Sequence, residues 1–402
     1  MEESSCKIAI FSIHSSPLGN IGEKDTGGMS IYLSELSREL GKTGLAIDIF
    51  TRSTSVAENG KIENLGSGVR LMYIKAGPLQ SVSKEDLPDY LPEFIQTVEE
   101  FRISEELVYH IIFSHYWISG LVGQELQEYW QVPHLLMFHT LGAVKNLTGI
   151  GKIEPDMRLE TEKKLAQNCS LVIVPTEREK KELTYYYEVS SEQVSVIPCG
   201  VNLDRFRPIS KKEARGKTGH SPEEKVALFV GRPDPIKGLE QLLKALKSLT
   251  LETSFRLVVI GGDEKEIFRW NSFCRDLLLP FPVTFMGTVQ HQLMPYYYSA
   301  ADLCVVPSYY ESFGLAALEA MACGTPVVAT DVGELQKIVC QGESGYLASS
   351  NDPQELAAKI EMLLTHPGGF EPANVRDAVS NYDWSQIAGQ VRRKCFELVA
   401  AD

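Results

Sequence analysis

The sequence alternates short apolar segments, rich in β-branched residues, with longer segments of helical periodicity. The apolar segments before residue 200 are Lys7–Ile13, Ala46–Arg52, Val69–Ala76, His110–His115, His134–His139, Leu171–Thr176 and Val194–Cys199. Amphipathic segments such as Met29–Gly41 and Leu91–Phe101 separate most of them. Apolar strands joined by helices are typical of a parallel sheet that is covered on both faces. The pattern therefore predicts a doubly wound α/β domain in the N-terminal half.

A second series of the same kind begins after residue 225. Its apolar segments are Val226–Arg232, Phe255–Gly262, Val283–Val289, Leu303–Pro307, Thr325–Thr330 and Gly345–Ala348. The final segment, Asp383–Ala400, has a helical pattern and no strand after it. Two doubly wound domains would bind ligands beyond the C-terminal ends of their strands. We therefore predict an α/β fold with two Rossmann-like domains, each built on a parallel sheet, facing across a cleft.

Between the two series, Pro and Gly punctuate the segment Pro198–Pro208, and a polar, charged stretch follows at Ser210–Lys225. Such a composition is typical of an interdomain linker. We therefore expect an N-terminal domain over residues 1–205 and a C-terminal domain over residues 206–382.

Composition restricts the partners of this chain. Its 402 residues include 39 Lys and Arg against 53 Asp and Glu, a formal net charge of −14. This charge argues against nucleic acid or an anionic membrane as the main partner. No apolar run approaches about 18 residues, so we predict no membrane span. The N-terminus lacks a basic region before an apolar one, and the eight cysteines are scattered without a C-x-x-C pair. We therefore expect reduced thiols and a cytoplasmic protein.

The most informative motif is the segment Tyr309–Glu319, which follows a predicted strand. Glu311 lies in the turn, and Glu319 lies about two helical turns further on. Gly314 permits close approach of a ligand to the backbone, and the start of the helix offers free N–H groups. Two carboxylates beside such a helix start suit a hydroxyl-rich ligand such as a sugar nucleotide. The alternative is an ordinary solvated helix with two acidic residues.

Two further segments suit phosphate groups. In Phe229–Gly238, a strand is followed by Arg232 and then by Lys237 at a helix start. Two cations and helix N–H groups can neutralise a diphosphate without a metal ion, although a solvated surface pair is the alternative. The segment Asp25–Tyr32 opens a helix after the first strand, and Gly28 can present its N–H group to phosphate. It is not a G-x-G-x-x-G motif, which disfavours a dehydrogenase.

The segment Tyr309–Glu319, with Ala322–Thr330 after it, resembles the E-x7-E signature of the retaining glycosyltransferases of family 4, which have the GT-B fold. The resemblance covers nearly the whole chain. It implies that Glu319 binds the ribose hydroxyls of a nucleotide and that Glu311 contacts the donor sugar. The backbone groups implied beside that sugar belong to Phe313, Gly314 and Leu315.

The same resemblance assigns roles elsewhere. Arg232 and Lys237 correspond to a pyrophosphate clamp, and Gly28 corresponds to a glycine that contacts the diphosphate. His139 corresponds to the histidine that touches the donor sugar near the transferred carbon, whereas we expect the other strand-terminal histidine, His115, to be structural. The helix at residues 383–402 is implied to pack back on the N-terminal domain. That domain would bind the acceptor, and the C-terminal domain would bind the nucleotide sugar.

A narrower resemblance concerns the acceptor. The segments similar to the inositol-phosphate glycosyltransferases of the mycothiol pathway are His14–Leu18, Ser83–Leu87, His115–Gly120, His139–Asn146 and Pro155–Glu162. This resemblance implies that four residues hold an acceptor phosphate, namely Lys84, Tyr116, Thr140 and Arg158. Taken alone, Lys84 would be a solvated charge on a loop and Arg158 a solvated charge on a helix.

The first loop departs from that pattern. Those enzymes usually have Asn after Gly-Gly-Met, where it contacts the inositol ring, and this chain has Ser30. Ser30 therefore remains a candidate acceptor residue. Because it offers one hydroxyl instead of an amide, it does not identify the ring that carries the acceptor phosphate. The related sucrose-phosphate synthases use fructose 6-phosphate and usually have Gln where this chain has Met29.

These features predict a retaining glycosyltransferase that moves a glucosyl or N-acetylglucosaminyl group from a UDP-sugar to a small phosphorylated polyol or sugar, with an inositol phosphate favoured. The family resemblance implies UDP through backbone contacts near Gly287–Val289. We expect no metal ion and no cofactor. The alternatives are transfer of glucose to fructose 6-phosphate, a sugar-nucleotide epimerase, and a non-catalytic subunit that binds nucleotide sugar. The oligomeric state stays open, with a homodimer among the options.

Overall fold

The computed structural model describes residues 6–18, 27–251, 253–366 and 369–401. Its N-terminal sheet has eight strands in the order β3-β4-β2-β1-β5-β6-β7-β8. Their bounds are β1 Lys7–Phe11, β2 Ala46–Arg52, β3 Ile62–Gly66, β4 Val69–Ile74, β5 Ile111–His115, β6 His134–Met137, β7 Leu171–Val174 and β8 Val194–Val196. The helices described around them are α1 Gly28–Lys42, α2 Leu91–Ser104, α3 Trp117–Trp130, α4 Gly142–Leu147, α5 Asp156–Asn168 and α6 Glu177–Tyr186.

Strand β3 is absent from the strands predicted from the sequence. It lies at the edge of the sheet and pairs antiparallel with β4, whereas the other strand pairs described in this sheet are parallel. Its side chains alternate between exposed and half-buried. An edge strand need not be apolar on both faces, so no continuous apolar run marks it in the sequence.

The C-terminal sheet has six parallel strands in the order β11-β10-β9-β12-β13-β14. Their bounds are β9 Lys225–Val230, β10 Phe255–Ile260, β11 Val283–Gly287, β12 Leu303–Val306, β13 Val327–Thr330 and β14 Gly345–Ala348. The accompanying helices are α7 Lys211–Thr218, α8 Leu239–Ser248, α9 Glu264–Leu277, α10 Met294–Ala300, α11 Leu315–Ala322, α12 Leu335–Ile338, α13 Pro353–Leu364, α14 Pro372–Asp377 and α15 Trp384–Ala401. The prediction of two parallel α/β units is confirmed.

Both sheets reverse their strand order at one point, as doubly wound sheets do. In the N-terminal sheet this point lies between β1 and β5, and in the C-terminal sheet it lies between β9 and β12. Helices diverge on either side of such a point and leave a crevice beyond the strand ends, where ligands bind. The loops after these four strands, together with the helices that follow them, contain most of the motif residues selected from the sequence.

The core explains why the strands read as continuous apolar runs. Along β1, the side chains of Ile8 and Ile10 pack with the α1 residue Leu36, whereas Phe11 packs on the opposite face with the α2 residue Phe94. All five side chains are fully buried. Because successive side chains of a strand point to opposite faces, a sheet that is covered by helices on both sides needs apolar residues at every position.

The polar stretch that follows the expected linker contains a helix. Residues 211–218 form α7, whose N-cap Ser210 accepts a hydrogen bond from the backbone N–H of Glu213. Arg215 of this helix is buried and pairs with Asp302 at 2.8 Å. Part of the polar stretch Ser210–Lys225 is therefore a folded helix. The charged residues of α7 give it the composition of a solvated segment, although one of them, the arginine, is buried and paired.

The last helix, α15, packs against α1 of the N-terminal sheet although it follows the C-terminal one. Trp384 at its start is 2% exposed, and its ring centroid lies 5.3 Å from that of Tyr32 on α1. A Cβ atom at Gly200 would lie only 2.5 Å from the Trp384 ring, so glycine is required where the linker passes under this ring. The chain thus crosses between the two sheets twice.

All eight cysteines lie in the described ranges, and each is a free thiol. Six of them are buried, Cys274 is half-buried and Cys340 is exposed. Among the helices in the described ranges, none is both long enough and apolar enough to cross a lipid bilayer.

Candidate active site

A cavity of about 760 Å³ lies between the two sheets. Ser30 and Glu35 line it from α1, Arg205 from the linker, and Thr288 and His291 from the segment after β11. The backbone region that was predicted to contact the nucleotide base therefore borders this cavity.

Two helix N-termini converge beside the cavity. A Cβ atom at Gly28 would lie 3.3 Å from Cδ1 of Leu315, so the first turns of α1 and α11 are in close contact. Among the described residues, no side chain caps the N-terminus of either helix, so their first N–H groups are open to another acceptor. Within the predicted phosphate loop, Asp25 and Thr26 lie outside the described residues.

The first turn of α1 is also tied to the loop after β1. The hydroxyls of Ser30 and Ser15 are 2.8 Å apart, and both side chains are buried. The hydroxyl of the predicted acceptor residue Ser30 therefore already has a partner within the protein.

The predicted clamp and the predicted sugar-binding carboxylate are brought together. The Nζ atom of Lys237 donates to Oε1 of Glu311 at 2.7 Å, and the Ser308 hydroxyl donates to the same oxygen at 2.9 Å. The Lys237 side chain is 33% exposed, so its charge can reach a ligand. Arg232 is exposed after β9 and has no polar partner among the residues described.

Glu319 is held by two donors that the sequence analysis did not identify. Tyr298 donates to its Oε2 at 2.9 Å, and Nε2 of His291 lies 2.8 Å from its Oε1. Arg205 lies 3.2 Å from Nδ1 of His291 and 2.7 Å from Oε1 of Glu35. Because arginine can only donate, His291 accepts at Nδ1 and donates from Nε2 to Glu319. A hydrogen-bonded chain therefore connects α11 with α1 through the linker.

His139 lies two residues beyond β6 in a left-handed backbone conformation, with φ of +62°. Its Nε2 atom is 2.9 Å from Nδ1 of the fully buried His115. Burial lowers the pKa of His139 to about 3 and holds the pKa of His115 well below its usual range. Both imidazoles are therefore neutral at physiological pH. The backbone N–H of Leu141 donates to the Tyr310 hydroxyl at 3.4 Å and connects this loop with the acidic motif.

The four predicted acceptor residues lie together, two of them against the aromatic ring of a third and the fourth against Arg158. The Lys84 ammonium is 5.4 Å and the Arg158 guanidinium 4.9 Å from the centroid of the Tyr116 ring. Arg158 also donates to the Thr140 hydroxyl at 3.1 Å. Burial raises the pKa of Tyr116 to about 12, so its phenol stays a hydrogen-bond donor. Four segments that are distant in sequence thus form one polar cluster.

The alternative of a solvated charge is wrong for Arg158. This side chain is 2% exposed and pairs with Glu162 at 2.7 Å and with Glu154 at 2.8 Å. Glu162 is fully buried and also accepts from the backbone N–H of Gly142 at 2.9 Å. A buried charge is tolerated only when it is paired, and these carboxylates supply the pairing.

His14 joins the acceptor cluster to the region of His139. Its ring centroid lies 4.5 Å from that of Tyr116, and its buried Nδ1 atom has no hydrogen-bond partner within the described part of the chain. Burial, followed by Lys84, His139 and Arg158, holds the pKa of His14 well below its usual range. In the sequence, His14 belongs to one of the segments that resemble the inositol-phosphate glycosyltransferases, without an assigned role. Its position directly after β1 is the signal that could have selected it.

The chain matches two family models, one over each sheet. The model described as Glycosyltransferase Family 4 matches residues 26–205, and the model described as Glycosyl transferases group 1 matches residues 210–382. A D-inositol 3-phosphate glycosyltransferase of Catenulispora acidiphila is 39% identical over 96% of this chain and 94% of its own length. One of Corynebacterium jeikeium is 37% identical over 97% and 96%. The chain belongs to the family 4 glycosyltransferases.

Solved structures agree with this assignment. A sucrose-phosphate synthase of Thermosynechococcus elongatus superposes with a TM-score of 0.90 at 34% identity, over 99% of this chain and 100% of the other. The HepE protein of Anabaena in complex with UDP and glucose superposes with a TM-score of 0.75 at 20% identity, over 98% and 100%. The second likeness shows the fold alone, and that fold is GT-B.

The two halves of this glycosyltransferase also meet at a buried carboxyl group. Glu179 on α6 is 3% exposed, and its Oε2 accepts from the Ser312 hydroxyl at 2.8 Å, while Oε1 has no partner in the ranges that the structure describes. Burial raises the pKa of Glu179 to about 8. The turn that contains Glu311 is therefore anchored on the opposite half of the protein by a group that is mostly protonated at neutral pH.

We expect a specific pH dependence of stability from Glu179. The folded protein keeps a proton that the unfolded chain loses above pH about 4.3, so the stability contribution of this group falls as pH rises from about 4.3 through about 8. Glu179→Gln removes this dependence, worth at most about 1.4 kcal/mol per pH unit. In urea denaturation between pH 5 and pH 8, the free energy of unfolding of the variant should increase relative to that of the wild type as the pH rises. The exposed neighbour Glu177, changed to Gln, is the control, and equal slopes for all three proteins would contradict the assignment.

If Lys237 belongs to the predicted clamp, we expect Lys237→Ala to lower kcat by about 10²–10³-fold, because the leaving phosphate would then lose a fixed cation. Lys244→Ala, which removes an exposed lysine paired with Glu240 on α8, is the matched control and should retain normal turnover. Circular dichroism and the unfolding midpoint establish that both variants fold. Normal turnover in folded Lys237→Ala would exclude the clamp.

Proposed function

We propose that this glycosyltransferase moves a glucosyl or N-acetylglucosaminyl group from a UDP-sugar to a small phosphorylated polyol or sugar, with retention of configuration. An inositol phosphate is the favoured acceptor. The main support is one polar cluster, in which Lys84 and Arg158 lie against the Tyr116 ring and Arg158 donates to Thr140. The eight free thiols support a reducing compartment, and we propose the cytoplasm.

On the donor side, the proposal assigns the nucleotide to the interdomain cavity. Glu319 would accept hydrogen bonds from the ribose hydroxyls, because both of its oxygens are already oriented by donors from the protein. The base would contact the backbone near Thr288, which lines the same cavity. The HepE structures with UDP and with UDP-glucose show that proteins of this fold bind such donors, which supports UDP.

The diphosphate would lie between the two helix N-termini and the cations of the C-terminal half. The N–H groups after Gly28 and Gly314, together with Lys237 and Arg232, can neutralise it without a metal ion or other cofactor. Cleavage of the glycosidic bond raises the negative charge on the departing phosphate. Groups that are already oriented toward that charge supply the main catalytic stabilisation.

The acceptor would be held by its phosphate beside Tyr116. Lys84 and Arg158 both lie near this ring and would supply the positive charge for the phosphate. The phenol and the Thr140 hydroxyl add uncharged donors. The acceptor hydroxyl would lose its proton to the departing phosphate oxygen, so the reaction needs no nucleophile from the protein. Closure of the cleft would exclude water and limit hydrolysis of the donor.

Transfer of glucose to fructose 6-phosphate is the second candidate. The likeness to a sucrose-phosphate synthase favours it, and so does Ser30, which lacks the amide expected for an inositol ring. A non-catalytic subunit is disfavoured, because the acceptor cluster and the donor residues are both present.

A panel of donors and acceptors tests the proposal. UDP-glucose and UDP-N-acetylglucosamine are each combined with inositol 3-phosphate, fructose 6-phosphate, inositol and fructose, and release of UDP is measured. We expect rapid release only with a phosphorylated acceptor, above a slow background of donor hydrolysis. Equal release with inositol or fructose would contradict the phosphate site, conversion of the donor without an acceptor would indicate an epimerase, and no release in any combination would favour a binding subunit.

We expect Lys84→Ala to raise the KM for the phosphorylated acceptor about 10- to 100-fold, because one charge-assisted hydrogen bond is lost. Hydrolysis of the donor in the absence of acceptor should not change. Arg158 is a poorer test, because its removal leaves Glu162 buried without a cation at a cost of about 3–5 kcal/mol.

Lys152→Ala is the matched control for Lys84. Lys152 is exposed and pairs with Glu85, the neighbour of Lys84, at 2.6 Å. Its removal perturbs the same loop without removing a charge from the acceptor cluster. If acceptor KM is equal in Lys84→Ala and Lys152→Ala, the assignment of Lys84 is wrong.

A further inference from the structure

We propose that His115 is a positioning residue that fixes the tautomer of His139, so that His139 presents a neutral Nδ1–H group to the donor sugar. The inference concerns a residue that sequence reasoning left as structural. It rests on the proposed function for the role of His139, but its own evidence is the geometry of the two imidazoles.

The sheet itself places the two rings side by side. β5 and β6 are neighbouring parallel strands, and His115 at the end of β5 is in register with Met137 of β6. His139 follows two residues later, and its left-handed backbone brings its ring next to that of His115. The ring centroids are 5.1 Å apart, and Nδ1 of His115 is 2.9 Å from Nε2 of His139. A non-glycine residue in such a conformation persists only where its surroundings hold it, commonly at functional sites.

One nitrogen of a hydrogen bond between two neutral imidazoles must carry the proton, so only two arrangements exist. In the first, His115 donates from Nδ1, and His139 keeps its own proton on Nδ1. In the second, His139 donates from Nε2, and His115 must carry its own proton on Nε2.

The surroundings of His115 distinguish these arrangements. Its Nε2 atom is buried and has no hydrogen-bond partner among the described residues, and its ring packs against Phe113 at 4.2 Å. The second arrangement would bury an N–H group with nothing to accept it, and orphaned N–H donors are rarer in proteins than orphaned acceptors. The first arrangement leaves only a bare ring nitrogen there. The geometry therefore favours donation from His115 to His139.

The consequence concerns the charge at the transfer centre. His115 is the one hydrogen-bond partner of His139 in the described ranges, and His139 remains partly exposed, so its Nδ1–H group is available to a ligand. Positive charge develops on the sugar as the glycosidic bond breaks. A neutral donor can bind a sugar hydroxyl without opposing that charge, whereas an imidazolium would repel it.

The test combines nuclear magnetic resonance with three variants. The ¹⁵N shifts of the imidazole nitrogens report which nitrogen of His139 is protonated, and His115 and His139 variants assign the signals. We expect protonated Nδ1 in wild type. We expect a shift toward protonated Nε2 in His115→Leu, which removes the donor. His115→Asn restores a donor. The amide nitrogen of asparagine is bonded to Cγ, as Nδ1 of histidine is, so the N–H group can occupy a similar position.

We expect His115→Leu to lower kcat with UDP-sugar and acceptor about 10- to 100-fold, with little change in the KM for the donor. His115→Asn should recover most of the lost turnover. His134→Leu is the control for a purely structural effect. His134 is equally buried, bonds to Ser114 at 2.9 Å and lies at the other end of β6. The His134→Leu variant should be less stable than the wild type but have the same kcat.

Three results would overturn the inference: protonated Nε2 on His139 in wild type, normal kcat in folded His115→Leu, or no recovery in His115→Asn relative to the Leu variant. The tautomer measurement needs no substrate. If the protein proved inactive on every UDP-sugar, the proposed function would fail while the assignment of the tautomer would still be decided.

Discussion

The cleft depends on one chain of hydrogen bonds that runs from α1 to α11. Glu35 is buried, and burial alone would raise its pKa, but Arg205, Asn202 and Arg38 outweigh that effect and the pKa is lowered. Arg205 belongs to the linker, so the charge of Glu35 fixes the linker against the N-terminal half. Through His291 the same guanidinium orients Glu319, which the proposed function assigns to the ribose. A residue that would bind nucleotide and the segment that joins the two halves are therefore parts of one network.

In the acceptor cluster too, a buried charge is stabilised by partners of opposite charge. The protein is acidic overall, yet Arg158 is buried, and it is stable there because Glu162 and Glu154 pair with it. A phosphate that approaches this guanidinium meets a cation whose donors are largely engaged. Under the proposed function it would share Arg158 with Thr140 and draw the remaining charge from Lys84. Such an arrangement avoids an unpaired buried cation in the free enzyme, which would be far more costly than a shared one.

Much of the architecture could be predicted from the sequence, because strands buried on both faces leave continuous apolar runs that are hard to mistake. The E-x7-E segment and the cationic segment were recognisable because their residues are close in sequence and follow strands. Edge strand β3 was missed because it is apolar on neither face, and α7 was missed because a buried ion pair made it look solvated. His291 and Tyr298 were missed for a different reason. Their partner Glu319 lies more than twenty residues away, and only the fold shows that they meet.

The two halves differ in the charge that they present to the reaction. The C-terminal half provides Lys237 and Arg232, where the proposed mechanism places the growing negative charge of the diphosphate. The N-terminal half provides His139, which burial keeps neutral, where that mechanism places the growing positive charge of the sugar. The two charges arise together as one bond breaks, so a site that stabilises both must keep its cations on the phosphate side of that bond. A cleft between two separate sheets satisfies this requirement, because each sheet delivers its own strand-end residues to one side of the substrate.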